Sequence, residues 1–391
     1  MESHIEIPNS VLARRGYRVR HCAAVRKNKL KPNGRSRSVE SSRNFGLKEL
    51  ADYVGLAPAT VSLVMNGSPV ADTIAPETRK MILAAARKLN YRPNFFARCL
   101  RTRRSFTIGV IVPELSEGYN VTVLSGIEDH LLQEGYFYLV ASHRFKQDLI
   151  DEYTELFLHR SVDGLIAVNT PWHRGLKIPV ATVSSHHTVA GVTRIVLDHH
   201  RAAEIALQYL MDLGHRRIAF IKGQSFVPDT EVRWKAISEV ARQMGLTISP
   251  KLVGQIEDNS PSPHLGYCVT QKLVASGEPF TALFAFNDVS AMGAIRALDE
   301  CKLRVPDDVS VLGFDDIESA SYQTRSLSTV RQPLKEMGRI AAEAVLRRAQ
   351  ATDKNDSTPE EIVVSPELIE RETTAVVHRA RKPYETVLEQ G

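Results

Sequence analysis

Cysteine is scarce: Cys22, Cys99, Cys268 and Cys301 are the whole complement of a 391-residue chain, and no two share a CxxC spacing. That excludes a disulfide framework and a cysteine-ligated metal or redox pair, so reduced, structural thiols are expected. No apolar run approaches the roughly 20 residues that a membrane-spanning helix needs. Residues 1–30 carry Arg14, Arg15, Arg18 and Arg20 but no apolar segment followed by a small-residue cleavage site. The expectation is a cytoplasmic protein that meets no membrane. Enzyme signatures are missing too, since GxGxxG, GxxxxGK(S/T), GxSxG and HExxH are all absent. Nucleotide-binding and the commoner hydrolase templates therefore lose their support. The 13 histidines are mostly scattered, with His186-His187 and His199-His200 as adjacent pairs. Adjacent residues on a strand point to opposite faces, so neither pair reads as a metal site. No catalytic residue, cofactor or metal is expected.

What is present is ordinary globular composition, 43% hydrophobic and 24% charged, with a strong charge asymmetry. Residues 1–105 hold 21 Lys+Arg against 7 Asp+Glu, a charge of +14, which leaves 29 against 38, or −9, for residues 106–391. One end wants a polyanion and the other does not. Residues 1–45, rich in Arg, Lys, Ser and Asn, read as a disordered basic arm. From Leu47, apolar residues recur at helical spacing (Leu47, Leu50, Ala51, Val54). Gly55 stops that helix, and Pro58 sits at a favoured first-turn position of a second one carrying Val61 and Val64. Two short helices across a glycine turn make a helix-turn-helix candidate. A third helix, from Pro76 and Glu77 through Met81, Ile82, Ala85 and Leu89, would close a three-helix core. After Ser105, short β-rich runs alternate with amphipathic helices: 106–112, 136–141, 162–168, 180–184, 217–221, 282–286 and 309–314, with a last strand-like run at 361–374. This alternation predicts an α/β fold of parallel sheets covered on both faces, with about ten strands in two subdomains.

The text LKELADYVGLAPATVSLVMNGSP, then TRKMILAAARKLNYRPNFFARCLRTRRS and TIGVIVPELS, resembles the lactose repressor (LacI/GalR) family of bacterial transcription regulators. The likeness continues through DHHRAAE, LGHRRIAFIKG, FAFNDVSAMGAIRAL, RVPDDVSVLGFDDIESA, LSTVRQP and ELIERETT. It implies a helix-turn-helix headpiece over residues 46–92 and a hinge helix and linker over 93–105. Two periplasmic-binding-protein-like subdomains, doubly wound and Rossmann-like, would follow over 106–374, and then a polar tail over 375–391. The implied protein is a homodimeric repressor that binds a palindromic double-stranded operator and answers to a small effector, with sugar-like chemistry expected.

On the headpiece, the positions matching Pro58, Ala59 and Leu63 are those where the family discriminates bases. Those matching Thr60, Ser62 and Asn66 serve the backbone or packing. Apolar Pro, Ala and Leu at the reading positions favour methyl contact and DNA shape over a bidentate guanine contact. Ala57 stands where the family has Ser, removing a side-chain cap. Asn94 to Arg101 matches the hinge helix, which at eight residues should fold only when two copies pack over DNA. Ala97 would let the paired helices approach, Leu100 would wedge into the minor groove, and Arg98 and Arg101 would cluster around that wedge. In the core, Asp198, Arg233, Asn287 and Asp315 match ligand-bonding positions, and Tyr119 is the aromatic of the first strand loop, PELSEGYN. Asp288 and Asp316 read as helix-start residues. A solute-binding protein of a transport system is the competing reading, and the segment 47–104 speaks against it. An α/β enzyme using Asp198 and Asp315 lacks any nucleophile or cofactor motif.

Overall fold

The computed structural model describes residues 46–91, 99, 104–116, 118–258, 262–351 and 359–377. The basic arm, the hinge-helix residues Asn94, Ala97, Arg98, Leu100 and Arg101, and most of the polar tail lie outside the described residues. The chain divides into two compact units, residues 1–93 and 94–391.

In the first unit, α1 (Leu47–Val54) begins where the Glu49 carboxylate accepts the Gly46 N–H at 2.7 Å. It ends at Gly55, whose left-handed φ of +70° no side-chain-bearing residue adopts as cheaply. Proline opens both α2 (Pro58–Met65) and α3 (Pro76–Lys88), where its missing N–H costs nothing. A 3₁₀ turn, Pro69–Thr73, fills the long connection between them. Leu50, Ala51, Val61, Val64, Ile82 and Ala85 are buried together and hold the three helices.

The second unit contains two six-stranded sheets. The first lobe is built from β1 (Thr107–Val112), α4 (Tyr119–Gln133), β2 (Phe137–Ser142), α5 (Gln147–His159), β3 (Gly164–Val168), β4 (Val180–Val183) and β5 (Val192–Leu197). The chain then crosses to a second lobe. This comprises α6 (His199–Asp212), β6 (Ile218–Lys222), α7 (Pro228–Gln243), β7 (Val253–Gln255), α8 (Pro263–Ala275), β8 (Ala282–Phe284), α9 (Asp288–Glu300), β9 (Ser310–Asp315), α10 (Glu318–Ser321) and β10 (Ser328–Arg331). It returns to the first lobe for α11 (Leu334–Gln350) and β11 (Glu360–Val364), and crosses again for β12 (Glu367–Ile369). Sheet orders are β11-β5-β4-β3-β1-β2 and β12-β10-β9-β8-β6-β7, parallel throughout except for the antiparallel β10–β12 pair. β1, β3, β4 and β9 are buried along their whole length, as strands covered on both faces must be. Among the described residues no helix is long and apolar enough to cross a membrane.

Three strands escape a sequence reading: β5, the three-residue β7, and β10, whose STVR has too little apolar content to stand out. The run 361–374, read as one strand, is two, divided at Ser365-Pro366 and given to different sheets. The tail also begins later than residue 375. Val377 N–H donates to Leu213 O at 2.8 Å, and His215 Nε2 lies 3.1 Å from Ala375 O, pinning that stretch to the second lobe.

Each lobe is closed by one helix pair crossing on two glycines. On Gly126 of α4, a Cβ would stand 1.8 Å from the Lys335 carbonyl oxygen, and on Gly338 of α11 it would stand 2.0 Å from that of Val123. Gly266 of α8 and Gly293 of α9 repeat the arrangement, at 2.0 Å from Ser290 O and 1.8 Å from Pro263 O. Backbone meets backbone, so neither helix can yield by a rotamer change. Gly293→Ala should destabilise the core by about 1–3 kcal/mol, the usual cost of overpacking. Urea unfolding of the full chain followed by circular dichroism measures it, and an unmoved midpoint would show that the helices separate freely.

Candidate ligand cleft and DNA-binding surface

On α2 the exposed residues are those nearest its start, Pro58 and Ala59, with Thr60 and Ser62 half-buried. Ala57 makes no side-chain cap, so the first backbone N–H groups of this helix keep no side-chain acceptor there. Asn66 is used locally, its Nδ2 donating to Ser62 O at 2.7 Å and Ser62 Oγ at 3.0 Å. Leu63 is half-buried and packs against the headpiece cluster, which leaves only part of it outward. No residue of α2 is charged.

In the core unit, parallel strands deliver their carboxyl ends to one edge of each sheet, and the two edges face each other across a cavity of about 110 Å³. Glu114 follows β1, Phe145 follows β2 and Asn169 follows β3. From the other lobe, Gln224 follows β6, Phe286 and Asn287 follow β8, and Asp315 ends β9. The Glu114 carboxylate orders its own loop, accepting from Ser116 N at 2.6 Å and Asn120 Nδ2 at 2.7 Å. Four buried polar atoms of cavity-lining residues have no protein partner among the described residues: Ser116 Oγ, Asn120 Oδ1, Asn169 Oδ1 and Arg233 Nε. Buried polar groups are nearly always satisfied, so this concentration marks a place where something else supplies the hydrogen bonds.

The Arg233 guanidinium lies 3.7 Å from the Phe314 ring centre and 4.5 Å from that of Phe286, and Nη1 donates to Phe286 O. Asp315 adopts φ +111°, a conformation strained for a residue with a side chain, and its Oδ1 accepts from Gln332 Nε2 at 2.6 Å. Burial pushes its carboxyl up to about 7, against the downward pull of Arg233. The Tyr119 hydroxyl is 2.6 Å from Ser184 Oγ, and burial pushes its phenol up, keeping it neutral. Asp229 sits one helical turn before Arg233, 3.4 Å from Nη2, and its Oδ1 is 2.6 Å from His186 Nε2 of the other lobe. Burial alone would raise the Asp229 carboxyl. Facing His199, the His186 hydrogen bond and Arg233 together hold it well below the usual carboxylate range.

Tyr119, Arg233, Asn287 and Asp315 thus come together around the cavity. Asp198 does not join them: it is the N-cap of α6, its Oδ1 taken by Arg201 N at 2.9 Å, and it is not among the lining residues. Asn287 spends its Oδ1 on capping α9, accepting from Ser290 N at 2.9 Å. Asp288 begins α9 as expected, but its carboxyl ties neighbouring loops, accepting from Ile317 N at 2.9 Å and the Thr329 hydroxyl at 2.6 Å. Asp316 begins no helix and pairs instead with Arg331 and Arg371, each at 2.7 Å. Sequence reasoning missed Asp229, although its place four residues before Arg233 puts both on one helix face. It also missed Asn120, Asn169 and Phe145, which no spacing rule singles out.

A helix-turn-helix unit with an uncovered α2 start, on the same chain as a two-lobed core with a polar cleft, defines a DNA-binding regulator with a ligand-binding core. Residues 46–94 match the family model for bacterial regulatory proteins of the lacI family, and residues 207–374 that of the periplasmic binding protein-like domain. A transcriptional repressor, PurR, of Haemophilus influenzae is 29% identical over 84% of this chain and 98% of its own length. The ribose operon repressor of the same species is 27% identical over 84% of this chain. Among solved structures, the lac repressor dimer bound to operator and the anti-inducer ONPF superposes with a TM-score of 0.74 at 24% identity, over 85% of this chain and all of that one. The chain thus carries a lacI-family helix-turn-helix domain and a periplasmic-binding-protein-like domain, and it is similar along most of its length to transcriptional repressors.

The raised carboxyl of Asp315 makes stability depend on pH in a defined direction. A group whose proton is held more tightly in the folded state stabilises below the unfolded value and loses that contribution as pH rises through the folded one. From 3.8 to about 7 is about three pH units, which caps the loss at about 4 kcal/mol. Asp315→Asn, neutral at every pH, should therefore melt higher than the parent at pH 8 and alike near pH 4. Parallel melting curves that keep a constant separation across that window would show that Asp315 carries no buried charge.

Proposed function

We propose that this protein is a transcriptional repressor that binds a roughly palindromic operator as a homodimer and takes a small polyhydroxylated effector, a sugar or sugar derivative, in the cleft. The observation that carries the effector half is the set of four unpartnered buried polar atoms around one cavity, beside Arg233 and Asp315. Together they offer donors and acceptors at close spacing, which suits vicinal hydroxyls, while Phe145 and Phe286 supply apolar faces for the ring. Relatives point the same way. A lacI-family regulator from Enterococcus faecium was solved with ribose, at 25% identity over 70% of this chain with a TM-score of 0.60. The regulator CelR was solved with cellobiose, at 24% identity with a TM-score of 0.61. Because the lining comes from both lobes, a ligand there favours whichever lobe arrangement it fits best, and that difference in affinity is what couples ligand to DNA. The work is done in the cytoplasm.

For the DNA half, we assign base contact to the start of α2, with Ala59 the outward position free to carry a longer side chain. Selection from random duplex DNA should return a two-fold symmetric consensus. Ala59→Arg should then shift one position in each half-site toward G·C, with a discrimination of about 1–3 kcal/mol. Enrichment of no symmetric sequence would remove the operator reading altogether. For the effector half, Arg233→Lys should leave operator affinity in place and weaken the response to an active sugar at least tenfold, since an ammonium cannot reproduce the planar guanidinium stacked on two rings. Release from operator by a sugar panel at parental concentrations would sink that role.

A further inference from the structure

Reading the histidine pairs as strand residues discounts them as ligands, and the structure corrects the premise. His186 and His187 lie in the loop after β4, and His199 and His200 begin α6. One histidine of each pair converges on Asp229. His186 comes from the first lobe, His199 from the point where the chain enters the second lobe, and Asp229 from the first turn of α7. One ligand atom from each of the three lies within 4.8 Å of the other two.

His199 is the telling member. It is 5% exposed, and neither ring nitrogen has a hydrogen-bond partner among the described residues. Its Nε2 stands 3.4 Å from Asp229 Oδ1, outside hydrogen-bond geometry. A buried polar group left unmatched costs about 1–3 kcal/mol. We propose that His186, His199 and Asp229 form a site for one divalent ion of the Zn²⁺ and Co²⁺ class, which clamps the two lobes beside the cleft.

Two imidazole nitrogens and one carboxylate oxygen are a donor set such ions favour, with a fourth position open to water. Bonds of about 2.0–2.1 Å in a tetrahedron place ligand atoms about 3.3–3.4 Å apart, the spacing His199 and Asp229 already have. The His186–Asp229 contact, now 2.6 Å, must open by less than about 1 Å, and the proton it holds leaves to solvent as the ion enters. Arg233 opposes the ion electrostatically. It meets the other carboxylate oxygen, Oδ2, at 3.4 Å, which leaves Oδ1 for the metal. Exposed His173 and His187 lie nearby, their ring centres 4.4 Å apart and their planes tilted by 57°, and His187 adjoins His186, so the surface pair is a competing ligand set that the test must separate.

The test uses the untagged full chain stripped of metal by chelator. Zn²⁺ titrated by calorimetry should show a site that is lost, by one ion per chain or at least tenfold in affinity, in His199→Gln and in His186→Gln. It should persist in the His173→Ala/His187→Ala double variant. Co²⁺ should give visible absorption of a tetrahedral nitrogen–oxygen site in the parent. Circular dichroism checks that the variants fold. Should His199→Gln fail to fold, the half-exposed His186→Gln and the parent's Zn²⁺-dependent melting shift decide. An unchanged ion count in the glutamine variants, loss only in the surface pair variant, or no melting shift in the parent would each overturn the site.

Discussion

The structure depends on one geometric constraint: strands that run parallel put all their carboxyl ends on the same edge. Each crossover must return over a face of the sheet, so the loops that follow the strands, and the first turns of the helices they lead into, collect along that edge. In this chain two such edges are set against each other because the backbone passes between lobes three times, after Leu197, after Arg331 and after Val364. Glu114, Phe145 and Asn169 on one side, and Gln224, Asn287 and Asp315 on the other, follow directly from that topology. The glycine crossings serve the same end. They let α4 meet α11 and α8 meet α9 at backbone distance, which packs the helices of each lobe closely against one another.

The electrostatics of the cleft follow from placing charges where water is excluded. Asp229, Arg233 and Asp315 are all at most 5% exposed, and one guanidinium serves two carboxyls. The outcome is uneven. Asp229, which also faces two histidines, keeps its charge, whereas Asp315, with only Gln332 and a share of Arg233, is raised toward neutrality. A site so arranged can present one fixed anion, one fixed cation and one carboxyl able to donate or accept, a wider repertoire than three fully ionised groups would have.

The headpiece was legible almost to the residue, because helix caps and glycine stops are local: Gly55, Pro58 and Pro76 act through their own backbone preferences. The alternating sheets were legible as a class, since buried β-branched runs stand out against amphipathic helices. What stayed hidden was decided by distant partners. β10 is recognisable only beside β9 and β12, and the division at Pro366 only once the two sheets exist. The places of Asp198 and Asp316 were not legible because a carboxylate at a strand end serves a helix cap, a ligand or an arginine equally well, and spacing does not choose among them. Arg201 N, in one case, and Arg331 with Arg371, in the other, make that choice.

The same distinction bears on how this regulator divides affinity from selectivity. α2 carries no charge, and its outward start offers Pro58 and Ala59, which can touch a methyl but cannot donate to a base. The +14 charge of residues 1–105 therefore acts outside the reading helix. Attraction to phosphate is indifferent to sequence and falls steeply with salt, so it brings the protein to DNA without selecting a site. If α2 reads the operator as proposed, its apolar start leaves selection there to methyl contacts and to the shape and deformability of the duplex, which are small terms per base pair. Small terms become decisive only when two headpieces are held at one spacing, so that both half-sites must fit at once. On the proposed reading, a protein with so plain a start to α2 would depend more on the simultaneous fit of two half-sites than on any single base contact.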